Sequence, residues 1–130
     1  MKTIKFRGKT LAQKPLWLYG NLVQYGRLKF IVNVDENDHF NHEQVISETV
    51  GQFTGLFDHY GKEIYEGDIL KFYSDEEGFI EVRFVRGVFA FLWKGNLDDE
   101  LPINAPTQEW AQVIGNIHDN PELLKGGALP

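Results

Sequence analysis

Ile80-Glu81-Val82-Arg83-Phe84-Val85, then Arg86-Gly87, then Val88-Phe89-Ala90-Phe91-Leu92-Trp93, carries the plainest structural message in the chain. Ile80, Val82 and Phe84 fall on one face of an extended segment, and Glu81 and Arg83 fall on the other. That period of two is the signature of a half-buried strand. Arg86-Gly87 is a two-residue gap of the kind that turns a hairpin, and the apolar run from Val88 to Trp93 returns the chain.

Outward from this hairpin the same grammar repeats. Ile69-Leu70-Lys71-Phe72-Tyr73 reads as a preceding strand, joined to it by the polar turn Ser74-Asp75-Glu76-Glu77-Gly78. Asp58-His59-Tyr60-Gly61-Lys62 is a turn, because Asp can bond its own backbone and Gly61 is free to take a left-handed conformation. After an irregular stretch holding Pro102 and Pro106, Trp110-Ala111-Gln112-Val113-Ile114 reads as a last strand. Asn120-Pro121-Glu122-Leu123-Leu124 has the N-cap and Pro-at-N1 pattern of a short closing helix.

Towards the N-terminus, Ile4 to Arg7 alternates apolar and basic residues as a short strand would. Leu16 to Tyr19 and Leu22 to Tyr25 are two further strand segments. Gly26-Arg27 then separates them from Leu28-Lys29-Phe30-Ile31-Val32, with Gly placed for a type II′ turn. Asp35 to Glu43 has the composition of an exposed loop, and Val45 to Val50 resumes as strand. Successive strands with tight turns predict a mainly β fold, all-β or at most α+β, made of curled antiparallel sheet or small barrel. The predicted organisation is a single domain over 1–130: an N-terminal β part (1–57), an SH3-like barrel with the short helix (58–124), and a frayed tail (125–130).

Composition narrows the functional classes. A chain of 130 residues is long enough to bury a core without staples. The absence of Cys removes disulfide scaffolds, Cys-ligated zinc and thiol nucleophiles together. No apolar run approaches the roughly 20 residues needed to span a bilayer, and no apolar core follows the basic residues at the N-terminus. The expectation is a cytoplasmic protein of a bacterial host cell, with no membrane partner. The net charge of −6 opposes phosphate binding over the whole surface, but its distribution is uneven. Lys2, Lys5, Arg7, Lys9 and Lys14 meet no acid up to that point, whereas Asp35 to Glu48 holds five acids and no Lys or Arg. Asp98-Asp99-Glu100 is acidic too. Such runs are usually solvated faces, and the alternative is that they steer copies or partners together.

Three segments occur in an order that resembles the YopX family of phage and prophage proteins. They are Val50-Gly51-Gln52-Phe53-Thr54-Gly55-Leu56, Gly61-Lys62-Glu63-Ile64-Tyr65-Glu66-Gly67-Asp68-Ile69, and Val113-Ile114-Gly115-Asn116-Ile117-His118-Asp119-Asn120-Pro121-Glu122-Leu123-Leu124. Lys5-Phe6-Arg7-Gly8 and Tyr19-Gly20-Asn21-Leu22 match the family's opening. The resemblance spans nearly the whole chain. It implies a small, mainly β protein of mobile elements that associates with itself, and it brings no catalytic residues with it. Tyr65 to Trp93 also has the look of an SH3-like barrel, in which Gly67 lets the chain turn and Asp68 caps the turn.

Candidates for chemistry are few. His39 and His42, beside Asp38 and Glu43, are the one metal candidate, although a polar loop collects such residues without any metal. A calcium loop begun at Asp35 fails, since Phe40 and Ile46 stand where Gly and Glu are required. Glu66 and Asp68 share a strand face as paired carboxylates would, but at a turn they read as capping groups. No Ser nucleophile elbow or phosphate-cradling loop is present, so an enzyme, metal-dependent or otherwise, is the poorer reading and no cofactor is expected. Lys71, Tyr73, Arg83, Arg86, Trp93 and Lys94 interleave bases with aromatics as a nucleic-acid surface does, with Asp75, Glu76, Glu77 and Glu81 weakening the field. The favoured reading is a binding or scaffold module that assembles with itself and with an unidentified host or phage protein. Trp17, Trp93 and Trp110, with basic Lys5 and Arg7, are its candidate contacts.

Overall fold

The computed structural model describes residues 3–73, 78–101 and 105–124. Ser74 to Glu77 of the polar turn, Pro102, and the tail 125–130 lie outside the described residues. Ten strands dominate: β1 (Phe6–Lys9), β2 (Trp17–Tyr25), β3 (Leu28–Val34), β4 (Phe40–Val45), β5 (Gly51–Phe57), β6 (Glu63–Tyr65), β7 (Asp68–Phe72), β8 (Ile80–Val85), β9 (Val88–Trp93) and β10 (Ala111–Asn116). A four-residue helix, α1 (Thr107–Trp110), precedes β10, and single 3-10 turns occupy Ser47–Thr49 and Pro121–Leu123. The chain divides into two compact units, Met1–Phe53 and Thr54–Pro130.

In the first unit an antiparallel sheet runs in the order β4-β3-β2-β1-β5. Trp17 to Tyr25 forms one continuous strand rather than two segments, because Gly20 lets β2 pass close beneath β3. A Cβ at Gly20 would collide with the Val32 carbonyl oxygen. Gly26, at φ +57°, turns β2 into β3. The sheet curls until Val45, at the end of β4, is bridged to Lys29 on one side and to Thr10 on the other. Ile31 and Val45 are almost fully buried on its inner face.

Two expectations for this unit are corrected. The stretch Asp35 to Glu43 is not loop throughout: Asp35 to His39 is a tight turn and β4 starts at Phe40. Polar residues fill β4 because it is an edge strand with much of its length in water. The strand expected from Val45 to Val50 ends at Val45. Thr49 then donates its hydroxyl to the Ile46 carbonyl at 2.6 Å, closing a 3-10 turn that competes with extension.

In the second unit, Thr54 of β5 donates its hydroxyl to the carbonyl of Ile64 in β6. A four-stranded antiparallel sheet follows in the order β10-β7-β8-β9. Arg86 and Gly87 both take positive φ, 51° and 83°, which is the type I′ geometry that matches strand twist. Ile80 opposes Trp93 and Val82 opposes Phe91, so these side chains share a face. That face joins Ile64, Leu70, Trp110 and Ala111 in the core, with Phe72, Leu101 and Val113 packed around it. Among the described residues the sheet is open, with β10 and β9 at its edges, rather than a closed SH3-like barrel. The closing helix shortens to one 3-10 turn. Asn120 does not cap it, because its Oδ1 accepts instead from the Asn116 N–H at 3.2 Å.

An outward apolar face on the first unit

Residues directly opposed in an antiparallel pair point the same way. Val23 opposes Phe30, Tyr25 opposes Leu28, Val32 opposes His42, and Val34 opposes Phe40. These side chains therefore share one face of β2-β3-β4, and the intervening residues, Ile31 among them, take the inner face. The outer parity of β3 is apolar throughout (Leu28, Phe30, Val32, Val34), whereas the inner one holds Lys29, Ile31 and Asn33, of which Ile31 is buried. Tyr25 is 70% exposed, Phe40 67% and Val34 61%. Exposed apolar side chains clustered in this way are a general feature of contact surfaces, in contrast to isolated apolar residues.

Val23, Tyr25, Phe30, Val32, Phe40 and His42 line a concavity of about 370 Å³. Tyr25 meets Phe30 edge-on at 6.2 Å between ring centroids, and Phe40 lies 5.9 Å from the His42 ring. The floor is hydrocarbon and aromatic, and His42 is the single titratable group in the lining apart from the Tyr25 hydroxyl. The arrangement can shed water onto an apolar partner; it presents no nucleophile and base in contact.

The predicted contact residues separate between the two units. Trp17 lies on β2 with the Arg7 guanidinium 4.6 Å and the Lys9 ammonium 5.7 Å from its ring, so β1 brings Trp17 and Arg7 together. The Lys5 ammonium lies 5.7 Å over Phe53. Arg7 is buried, its charge set against an aromatic face. Trp110 is 8% exposed, wedged against Phe72 and Phe91 at 5.2 and 5.7 Å. Trp93 is half-buried against the same core.

Several residues of the nucleic-acid reading are engaged by their neighbours or sit in turns. Arg83 makes two hydrogen bonds to Glu81, at 2.7 and 3.0 Å, and a third to the Gly95 carbonyl at 3.3 Å. The Glu81 carboxylate holds the guanidinium pKa above its ordinary value. Tyr73 stacks flat on His59 at 3.9 Å, Lys71 is half-buried opposite Gln112, and Arg86 and Lys94 sit at positive φ in turns. His39 and His42 are also separated in role. His39 closes the turn, with its Nδ1 3.4 Å from Asp35, whereas His42 faces the concavity. Among the described residues no group of three or more His, Cys, Asp or Glu is arranged to hold a metal ion. No described helix is long and apolar enough to cross a membrane.

Sequence reasoning missed Tyr25, Phe30, Val32 and Phe40. The available signal was β3 itself, where Leu28, Phe30, Val32 and Val34 alternate with Lys29, Ile31 and Asn33 and so line up one apolar face.

Comparison with known proteins places the chain in context. A family model described as "YopX protein" matches residues 5–125. The crystal structure of protein EF1440 from Enterococcus faecalis superposes with a TM-score of 0.57 at 25% identity, covering 96% of this chain and 100% of that one. No curated protein matches the chain.

Proposed function

The chain belongs to the YopX family, and from that premise we propose that it is a binding or scaffold module of a phage or prophage, assembling with itself in the cytoplasm of the bacterial host. The observation that carries the reading is the uncovered apolar face of β2-β3-β4, where Tyr25, Val34 and Phe40 stand in solvent around an aromatic-lined concavity. Burying such a face releases about 25 cal/mol per Å² of apolar surface, which favours association with a matching apolar surface. The catalytic alternative lacks a constellation to rest on among the described residues, and the nucleic-acid alternative is weakened by the engagement of Arg83 with Glu81. A scaffold that works by surface contact needs neither cofactor nor metal.

Light scattering across a concentration series tests the reading. The wild type is expected to exceed the mass of one chain, and a Tyr25→Ser, Phe40→Ser double variant to return to it. A wild type that stays at one chain mass throughout the series, with no other protein retained on it from host lysate, would sink the proposal.

A further inference from the structure

The open side of β4 has a defined length and a defined polarity. At Val45 the outer side is taken by Thr10, and the Ile46 N–H is bonded to the Lys9 carbonyl at 2.7 Å. From Phe40 to Gln44 no strand lies on that side among the described residues. The segment carries no Pro, Lys or bulge of the kind that blunts an edge. The two ends of the strand differ in charge. Its start adjoins the turn holding Asp35, Glu36 and Asp38, and its end adjoins Lys29, which is paired with Val45, and Lys9.

We propose that a second copy of this chain pairs its β4 antiparallel to this edge, about a two-fold axis at Asn41. This rests on the self-assembly reading and adds to it one contact, along the strand edge, that leaves the apolar face free to be covered by further copies. Antiparallel pairing brings the acidic start of each strand beside the basic end of its partner, twice over, whereas parallel pairing sets acid against acid. A two-fold axis perpendicular to the sheet keeps the faces in register, so the residue on the axis must oppose itself. Centring on Glu43 would oppose two carboxylates, and centring on His42 would oppose two imidazoles. Centring on Asn41 sets Phe40 opposite His42 and His39 opposite Glu43, each occurring twice. The outward faces then join into one continuous apolar surface across both copies.

The chain contains no cysteine, so a single introduced thiol reports the contact cleanly. Asn41 is exposed on β4, and residues opposed across a strand pair lie about 5 Å apart at Cα, within disulfide reach. Glu36 is exposed in the turn beyond His39, and across the proposed dimer the two His39 positions alone would be about 13 Å apart along the strand, at roughly 3.3 Å per residue, which puts Glu36 outside disulfide reach of its copy. Under mild oxidation, Asn41→Cys is expected to give a reducible dimer as its main product, and Glu36→Cys none. Equal cross-linking of both variants, or cross-linking of His42→Cys without Asn41→Cys, overturns the proposal. If Asn41→Cys fails to link while light scattering shows the wild type assembled, this edge is wrong and self-assembly stands. If the wild type is a single chain by light scattering, both fall together.

Discussion

The Oδ2 atom of Asp58 accepts the backbone N–H of Val113 at 3.0 Å, tying the turn after β5 to the last strand of the sheet. Its Oδ1 accepts from Tyr60 and Lys62, both at 2.8 Å, so one buried carboxylate organises a turn and anchors β10. Hydrogen bonds to a charged group are each worth about 1.5–3 kcal/mol, less where water can replace them, as at exposed Tyr60 and Lys62. Asp58→Ala is expected to cost about 3 kcal/mol by urea denaturation. Asp58→Asn should cost less, because its carbonyl oxygen still serves the turn while its amide faces the Val113 donor. Equal losses for the two variants would place the effect outside this hydrogen-bond set.

Two glycines of the first unit separate steric from conformational need. At Gly20 a methyl group would meet the Val32 carbonyl, so Gly20→Ala forces β2 and β3 apart and should cost about 1–3 kcal/mol. At Gly26 there is open space, and the penalty arises from φ +57° alone, about 1 kcal/mol. Thermal melts of the two variants should rank Gly20→Ala lower. Gly26→Asn should recover most of the Gly26→Ala loss, since Asn tolerates a left-handed backbone.

The turns were legible because their cause is local. Asp58, Gly61, Gly67, Asp68 and the Arg86-Gly87 pair each act on backbone within a few residues: Asp68 accepts the Tyr65 N–H at 2.7 Å, and Gly67 sits at φ +94°. Several of the residues that carry the family resemblance are of this kind. Asn116 is another, its Oδ1 accepting from His118 and Asp119. The resemblance therefore transmits a fold through its turns, which explains how it could be read without revealing a site. That the apolar face of β3 is the uncovered one was not legible, because whether Phe30 or Ile31 is covered depends on what packs on each side of the strand. Edge strand β4 was hidden for the converse reason, since a strand largely in water has a loop's composition. Trp110 was read as a contact because nothing in its sequence neighbourhood shows the Phe72 and Phe91 rings that enclose it.

The turn at the acidic end should respond to pH. Asp35 Oδ1 accepts the N–H groups of His39 and Asn37, both at 2.9 Å. The His39 N–H is the largest of the causes that hold its carboxyl below the ordinary 3.8. A depressed folded-state pKa adds stability above the unfolded value and loses it as pH falls through the lower, folded one. The turn should thus be intact at neutral pH and loosen only below about pH 4. NMR shifts of the Asn37 and His39 amides should follow the carboxyl titration, with a midpoint below that of a model Asp. A midpoint above 3.8 would contradict the assignment.

If the face of β2-β3-β4 is buried on assembly, stability must depend on protein concentration, because only the folded chain presents that face. Mass action then adds up to about 1.4 kcal/mol per mole of dimer for each tenfold rise in concentration. Shared between two chains of this size, that is a rise of about 2–3 °C in Tm per tenfold. Tyr25→Ser with Phe40→Ser removes exposed apolar surface and little of the core, so its Tm at low concentration should stay close to that of the wild type. Its concentration dependence should vanish. A wild-type Tm that is flat from micromolar to millimolar would mean that the exposed face stays solvated in the isolated protein, leaving a different molecule as the partner that covers it.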